Sequence, residues 1–404
     1  MKYIVILGDG MADRPIKQLG NKTPLEVANK PSIEQLAKKG EVGLVSTIPK
    51  NMNPGSDTAN LSVIGYDPLK YYTGRSPLEG ISMGVSLKDE DVSFRTNLVT
   101  LSEEESYENK IILDHGASDI TTEESEVLIK YIDEKLRDDI IKFYSGISYR
   151  HLLVWRNGST DVKLVPPHDI RDKCIKEYLP DGDNSGKILS LMEKSYELLN
   201  NHPINIERKK KGLNKANSIW IWGEGTKPML PSFKQKYGLD GVMISAVDLL
   251  KGIAMCGGLK VKEVVGATGN LNTNYEGKAK AAIEELKQGK NFVYIHIEAP
   301  DECSHCGELE NKIKAIELID EKVVKYVKEK MDELNEPYKI MILPDHPTPI
   351  GVRTHTSDPV PYLIYSSDKQ YENDSNTYNE LYAKDSNNYI DEGYKLMDYF
   401  IDLK

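Results

Sequence analysis

The chain has 404 residues, 39% of them hydrophobic and 28% charged, with a formal net charge of −11. An acidic balance lacks the basic face that nucleic acid requires, and no apolar run approaches the eighteen or so residues of a membrane span. Four cysteines in this length make no disulfide framework, so a reducing, cytoplasmic setting is expected.

The first element, "YIVILGDG", is a continuous β-branched run closed by Gly8-Asp9-Gly10, the form of a fully buried parallel strand rather than of a cleaved leader. "SIEQLAKKG" follows as a helix ended by glycine. In "NMNPGSDTANLSVIGYDP", Asn53-Pro54-Gly55 is turn chemistry and Ser56 begins a helical stretch. A serine there is by default an N-cap. The same position lies where backbone N–H groups favour an anion, which makes Ser56 the nucleophile candidate.

From about residue 83 the texture changes. "GVSLKDEDVSFRTNLVTL" and "ISYRHLLVWRN" read as half-exposed strands, with helices expected at 121–137 and 185–200. The basic run "ERKKKG" at 207–212 reads as a solvated loop or boundary, and strands resume at "SIWIWGEG". The expected organisation is a core of residues 1–82 and 213–404 interrupted by an inserted α+β domain at 83–212.

Beyond it, "GKAKAAIEELKQGK" is helical, and "FVYIHIEAPD" and "YKIMILPDHP" repeat the buried-strand form. "LENKIKAIELIDEKVVKYVKEKMDEL" keeps helical spacing over about seven turns, and "PVPYLIYS" is a fourth strand. Strand and helix in alternation imply a parallel α/β sheet.

Three of these strands end in acids: Asp9, Asp301 and Asp345. Ligands collect at the carboxyl ends of parallel strands, so these side chains can converge although far apart in sequence. His305 stands four residues after Asp301, His346 adjoins Asp345, and His355 follows in "VRTHTSDP". His296 reads as a satisfied core residue and His202 as a loop residue. Mixed carboxylate and imidazole donors suit Mn²⁺, Zn²⁺ or Mg²⁺, and three aspartates with three histidines suit two ions better than one. A rival lies in the same decapeptide, "APDECSHCGE", where Cys303 and Cys306 have the spacing of half a zinc knuckle. The other cysteines, Cys174 and Cys256, are single and distant in sequence.

"GDGMADRP", "NPGSDTANLSVIGYDP", "YYTGRSPLEG", "SFRTNLVT", "PDECSHCGE", "LPDHPTP" and "THTSDPVP" together resemble the archaeal type of cofactor-independent phosphoglycerate mutase, a family of the alkaline phosphatase superfamily. The likeness runs in order over essentially the whole chain. It implies an alkaline-phosphatase-like parallel-sheet metalloenzyme core with an inserted α+β substrate domain that closes over the site. It also implies interconversion of 3-phosphoglycerate and 2-phosphoglycerate, in glycolysis and gluconeogenesis, without 2,3-bisphosphoglycerate. Asp9, Ser56, Asp345 and His346 would hold one divalent ion, and Asp301, His305 and His355 the other, with Mn²⁺, Zn²⁺, Co²⁺ or Mg²⁺ as the metal. Ser56 would be transiently phosphorylated. Arg95 and Arg150 are candidates for the substrate carboxylate, His151 and His168 for substrate contact or proton transfer, and Lys251 for the phosphoryl oxygens. The Gly-Arg-Asp stretch and the histidine of the bacterial type have only approximate counterparts in "DHGASDITTEE", so the resemblance assigns no general acid or base. A phosphatase or phosphopentomutase on the same metal core is the alternative.

Overall fold

A computed structural model describes residues 1–369 and 376–403. The chain forms two compact units, Met1–Tyr72 with Met229–Lys404, and Thr73–Pro228. No helix among the described residues is long and apolar enough to cross a membrane.

The first unit is built on an eight-stranded sheet. Its strands run, edge to edge, Lys260–Val261, Gly241–Ile244, Phe292–Ile297, Lys2–Gly8, Tyr338–Leu343, Val360–Ser366, Glu41–Val45 and Tyr389–Ile390. The three central strands are the apolar runs that end in acids, and they pair in parallel. Ile4, Val5, Ile6 and Leu7 are wholly buried, as a strand covered on both faces must be. The register sets Gly8 opposite Ile297 and Leu7 opposite Leu343, so the three strands finish level. Asp9, Glu298 and Asp345 therefore emerge at one edge.

Val360–Ser366 departs from the expected parallel sheet, running antiparallel to both its neighbours. The chain between Leu343 and Val360 contains no crossover helix, and a parallel return needs one. The helix read as continuous over 309–334 is divided into Leu309–Leu318, a π-helical turn at Ile319–Val324, and Lys325–Leu334.

The inserted unit has its own core around a sheet in which Asp91–Leu101 pairs antiparallel with Arg150–Arg156 and with Ser218–Thr226. Helices Thr122–Leu136 and Ser185–Leu199 contribute Ile129, Ile132, Ile188 and Met192 to that core, beside Phe94, Leu98 and Trp220. Its limits lie outside the expected 83–212, for identifiable reasons. The hydroxyl of Ser76 donates to the Ser93 carbonyl at 2.8 Å, which ties helix Ser76–Ser82 to this unit. The "SIWIWGEG" strand, expected in the core, completes the inserted sheet instead. The basic run at 207–212 is solvated as expected except at Arg208, but it lies within this unit rather than at its boundary. It ends helix Pro203–Lys210, and Arg208 is buried against Glu124 and the carbonyl of Ala117.

Candidate metal centre

At the level strand ends, Asp9 leaves its strand into a turn through Gly10, whose φ of 62° is left-handed. A Cβ at Gly10 would lie 2.6 Å from both Asp301 Oδ1 and Thr348 Oγ1. Only glycine lets those two side chains close on this turn. Asp301 lies in the first turn of helix Ala299–Cys306, after Pro300, and His305 is one turn on, so both project to the same side. Gly307, also left-handed, ends that helix.

Two groups of potential ligands result, Asp301 with His305 and His355, and Asp9 with Asp301 and His346. In each, one donor atom per residue lies within 4.8 Å of the others. Asp301 belongs to both. Around it, His305 Nε2 lies 3.1 Å from Oδ2 and His355 Nε2 3.5 Å from Oδ1, while the two imidazole nitrogens are 3.0 Å apart. His305 Nδ1 donates to the Arg353 carbonyl at 3.0 Å, which aims Nε2 at the cluster. Arg353 offers that carbonyl from a left-handed φ of 58°.

In the second group His346 Nε2 is 3.1 Å from Ser56 Oγ, 3.6 Å from Asp9 Oδ1 and 3.4 Å from Asp345 Oδ2. Ser56 opens helix Ser56–Val63, with Gly55 rather than the serine at the cap position. Its hydroxyl is therefore not spent on an N-cap hydrogen bond. Asn60, one turn along, donates to the Ser56 carbonyl and to Asp345 Oδ2, both at 2.9 Å, and accepts from the Tyr294 hydroxyl at 2.7 Å.

The electrostatics of the cluster favour a cation. Burial, and then the charges of Asp345, Asp301 and Glu298, push the Asp9 carboxyl well above the usual carboxylate range. Its Oδ1 is buried with no hydrogen-bond partner among the described residues. Burial alone would raise Asp301 too, but hydrogen bonds from His305 and His355 hold it well below that range. The same bond to Asp301 pushes His305 up to about 9. Converging oxygens and imidazole nitrogens, one of the oxygens orphaned, fit hard or borderline divalent ions.

The cysteines do not join. Cys303 is buried and Cys306 exposed, and no potential metal group among the described residues contains a cysteine. Burial pushes the Cys303 thiol up to about 11, away from the thiolate a zinc ligand needs.

The substrate candidates divide. In the inserted unit the Arg95 guanidinium lies 4.1 Å from the Trp222 ring, with Nε 3.0 Å from Glu79. His168 meets the same ring at 5.3 Å and His115 at 6.2 Å, and His115 meets Tyr149 at 5.7 Å. Arg150, exposed, lies 5.7 Å from the Tyr149 ring. Asn97 braces the group, accepting from Trp222 Nε1 and donating to the His115 carbonyl, both at 3.0 Å. His151 is not part of this group. It pairs with Thr96, and strand alternation sends both to the face opposite Arg95 and Asn97. Lys251, in the other unit, has its ammonium held by Glu263 at 2.9 Å and Asp248 at 3.4 Å.

Sequence reading passed over several residues of the centre. His296, expected as a satisfied core residue, is fully buried and satisfied by Ser245 Oγ at 3.1 Å, yet its other nitrogen holds Asp9 Oδ2 at 3.0 Å. Lys278, pushed down to about 8 by burial, donates to the His296 carbonyl. Thr348 donates to Asp301 and approaches His346 Nδ1 at 3.3 Å. Only Asn60 had a legible signal, four residues after Ser56 on one helix face.

A family model described as 2,3-bisphosphoglycerate-independent phosphoglycerate mutase matches residues 37–205. A probable mutase of that description from Geobacter sulfurreducens is 46% identical over 402 residues, covering 100% of each chain. One from Methanosarcina mazei is 49% identical over 370 residues, 91% of each chain. Among solved structures, a Pyrococcus horikoshii protein superposes with a TM-score of 0.82 at 31% identity, covering 100% of this chain and 97% of its own. The cofactor-independent phosphoglycerate mutase of Thermoplasma acidophilum gives 0.69 at 26% identity, covering 100% of both.

Proposed function

This chain belongs to the 2,3-bisphosphoglycerate-independent phosphoglycerate mutase family, and on that premise we propose that Ser56 carries the phosphoryl group as 3-phosphoglycerate becomes 2-phosphoglycerate. The activity is that of an isomerase, which moves a phosphoryl group within one small molecule. The observation that carries the serine's role is the 3.1 Å approach of Ser56 Oγ to His346 Nε2, beside Asp9 and Asp345, at the start of a helix.

Asp9, Ser56, Asp345 and His346 would hold one divalent ion and Asp301, His305 and His355 the other. When bound, such ions set positive charge against the phosphoryl oxygens and favour the deprotonated serine. Ser56 Oγ, its hydroxyl proton lost, attacks phosphorus, a bond forms between them, and the bond to the substrate's 3-oxygen breaks as that oxygen takes up a proton, leaving glycerate and phosphoserine. The 2-hydroxyl of the same glycerate then loses its proton and attacks phosphorus, and the bond to Ser56 Oγ breaks as the serine takes a proton back. Asn60 holds Ser56 and Asp345 in mutual register throughout, and the helix start presents backbone N–H groups and the positive end of its dipole to the anion. In the inserted unit, Arg95 and Arg150 are the groups suited to the glycerate carboxylate, and His115 and His168 the imidazoles beside them.

Ser56→Ala tests this reading. The variant should fold, lose at least ~10³-fold in isomerisation, and show no protein-bound label in rapid-quench experiments with ³²P-labelled 3-phosphoglycerate. Wild-type turnover by the variant would refute the phosphoserine route.

A further inference from the structure

We propose that Lys312 is a positioning residue, a buried clamp that holds three ligand-bearing segments of the metal centre in one arrangement. The proposal rests on the reading of Asp9, Asp301 and His346 as metal ligands. Lys312 lies in helix Leu309–Leu318 and its side chain has no solvent exposure. Its ammonium donates to the Ala12 carbonyl at 3.2 Å, to Asp13 Oδ2 at 2.8 Å and to the Thr348 carbonyl at 2.9 Å. Three donors meet three acceptors, which exhausts the hydrogens of a lysine.

Where those acceptors lie is what matters. Ala12 and Asp13 belong to the turn that follows Asp9, and Thr348 belongs to the loop that follows Asp345 and His346. Asp13 Oδ2 also accepts from the Ile350 N–H at 3.1 Å, closing the same loop from the other side. Lys312 itself stands on the helix that follows Asp301 and His305 in the chain. One side chain thus joins all three segments that supply Asp9, Asp301 and His346. Thr348 completes the link, since its carbonyl accepts from Lys312 while its hydroxyl donates to Asp301. Behind Asp13, its N–H donates to Glu380 Oε1 at 2.9 Å, and the Thr23 hydroxyl donates to Oε2 at 2.6 Å.

Stability alone is a poor account of this arrangement. An ion pair buried this deeply recovers little more than the desolvation it costs, and apolar replacements of equal volume are often neutral or better. Geometry is a better account. The segments after Asp9 and Asp345 are irregular chain, and a ligand set works only if its outer contacts fix it.

The test compares wild type, Lys312→Met and the double variant Lys312→Met/Asp13→Asn, which removes the lysine charge and that of its ion-pair partner together. Metal-free folding is followed by circular dichroism and thermal unfolding, and Mn²⁺ affinity by isothermal titration calorimetry. Both variants should fold and bind Mn²⁺ at least ~10-fold more weakly than wild type, with KM for the phosphoglycerate unchanged at saturating Mn²⁺. A role confined to stability would instead lower the unfolding temperature and leave affinity within twofold of wild type, which would overturn the proposal. If neither lysine variant folds, Asp13→Asn carries the same comparison with the same two outcomes. A wild-type protein that binds no Mn²⁺, Zn²⁺ or Co²⁺ would overturn the metal reading and the clamp with it.

Discussion

His151 and Asp301 show how differently burial acts on two groups of this chain. Asp301 keeps its charge because two histidines hydrogen-bond to it, whereas His151 feels burial alone and stays neutral. Burial pushes His151 down to about 3. Its Nδ1 accepts from the Gly146 N–H at 3.0 Å, so the proton resides on Nε2, which has no hydrogen-bond partner among the described residues. An unfolded histidine titrates near ~6.5. Between those values the unfolded chain binds a proton that the native chain does not. The contribution is fully present above pH ~6.5 and is lost as the pH falls towards 3, with a limiting slope of roughly 1.4 kcal/mol per pH unit. His151→Gln keeps an acceptor for Gly146 and removes the titration. Urea unfolding from pH 7 to pH 4 should therefore show a flatter decline of stability in this variant than in wild type. Parallel declines would mean that His151 is not buried neutral.

Among the elements, the long apolar pattern after residue 309 was legible as helix but not as the π turn within it. Periodicity reports which face is apolar, and a single extra residue per turn barely disturbs it over so short a stretch. The turn coincides with a contact. Buried Asp320 accepts from the Ser32 and Ile33 N–H groups at 3.2 and 2.6 Å. These are orphan donors at the start of helix Pro31–Lys39, whose own cap residue, Lys30, offers no side-chain acceptor. Asp320 is thus an N-cap supplied from another helix. Asp320→Ala should cost about 2 kcal/mol, toward the upper end for a lost cap, because two buried donors lose their acceptor. Equilibrium urea unfolding reads this directly, and a loss under ~0.5 kcal/mol, within the range of ordinary surface changes, would show that water or a shifted backbone replaces it. Strand ends were the most legible elements, because a buried apolar run closed by an acid marks both a strand and its carboxyl edge. The antiparallel return of Val360–Ser366 was hidden, since composition does not encode strand direction. Buried charges such as Lys312 were hidden for a related reason. A lysine on an amphipathic helix reads as solvated until its acceptors, some of them about three hundred residues away, are known.

On the scale of the whole molecule, a core made from both chain ends carries the metal-type cluster and a single inserted segment carries the Arg95–Trp222–His168 group. The change of texture near residue 83 falls inside the second unit, which begins at Thr73. Its true limits depend on hydrogen bonds such as Ser76 to Ser93 and on the pairing of Ser218–Thr226, which sequence cannot report. A mutase and a phosphatase built on one such core share the serine and the ligands, and differ in whether glycerate or water takes the phosphoryl group back. The deciding measurement gives the protein 3-phosphoglycerate without added 2,3-bisphosphoglycerate and follows 2-phosphoglycerate through enolase while inorganic phosphate is monitored. The expected result is 2-phosphoglycerate without phosphate release, abolished by chelation and restored by a divalent cation. Release of phosphate with no 2-phosphoglycerate formed would contradict it.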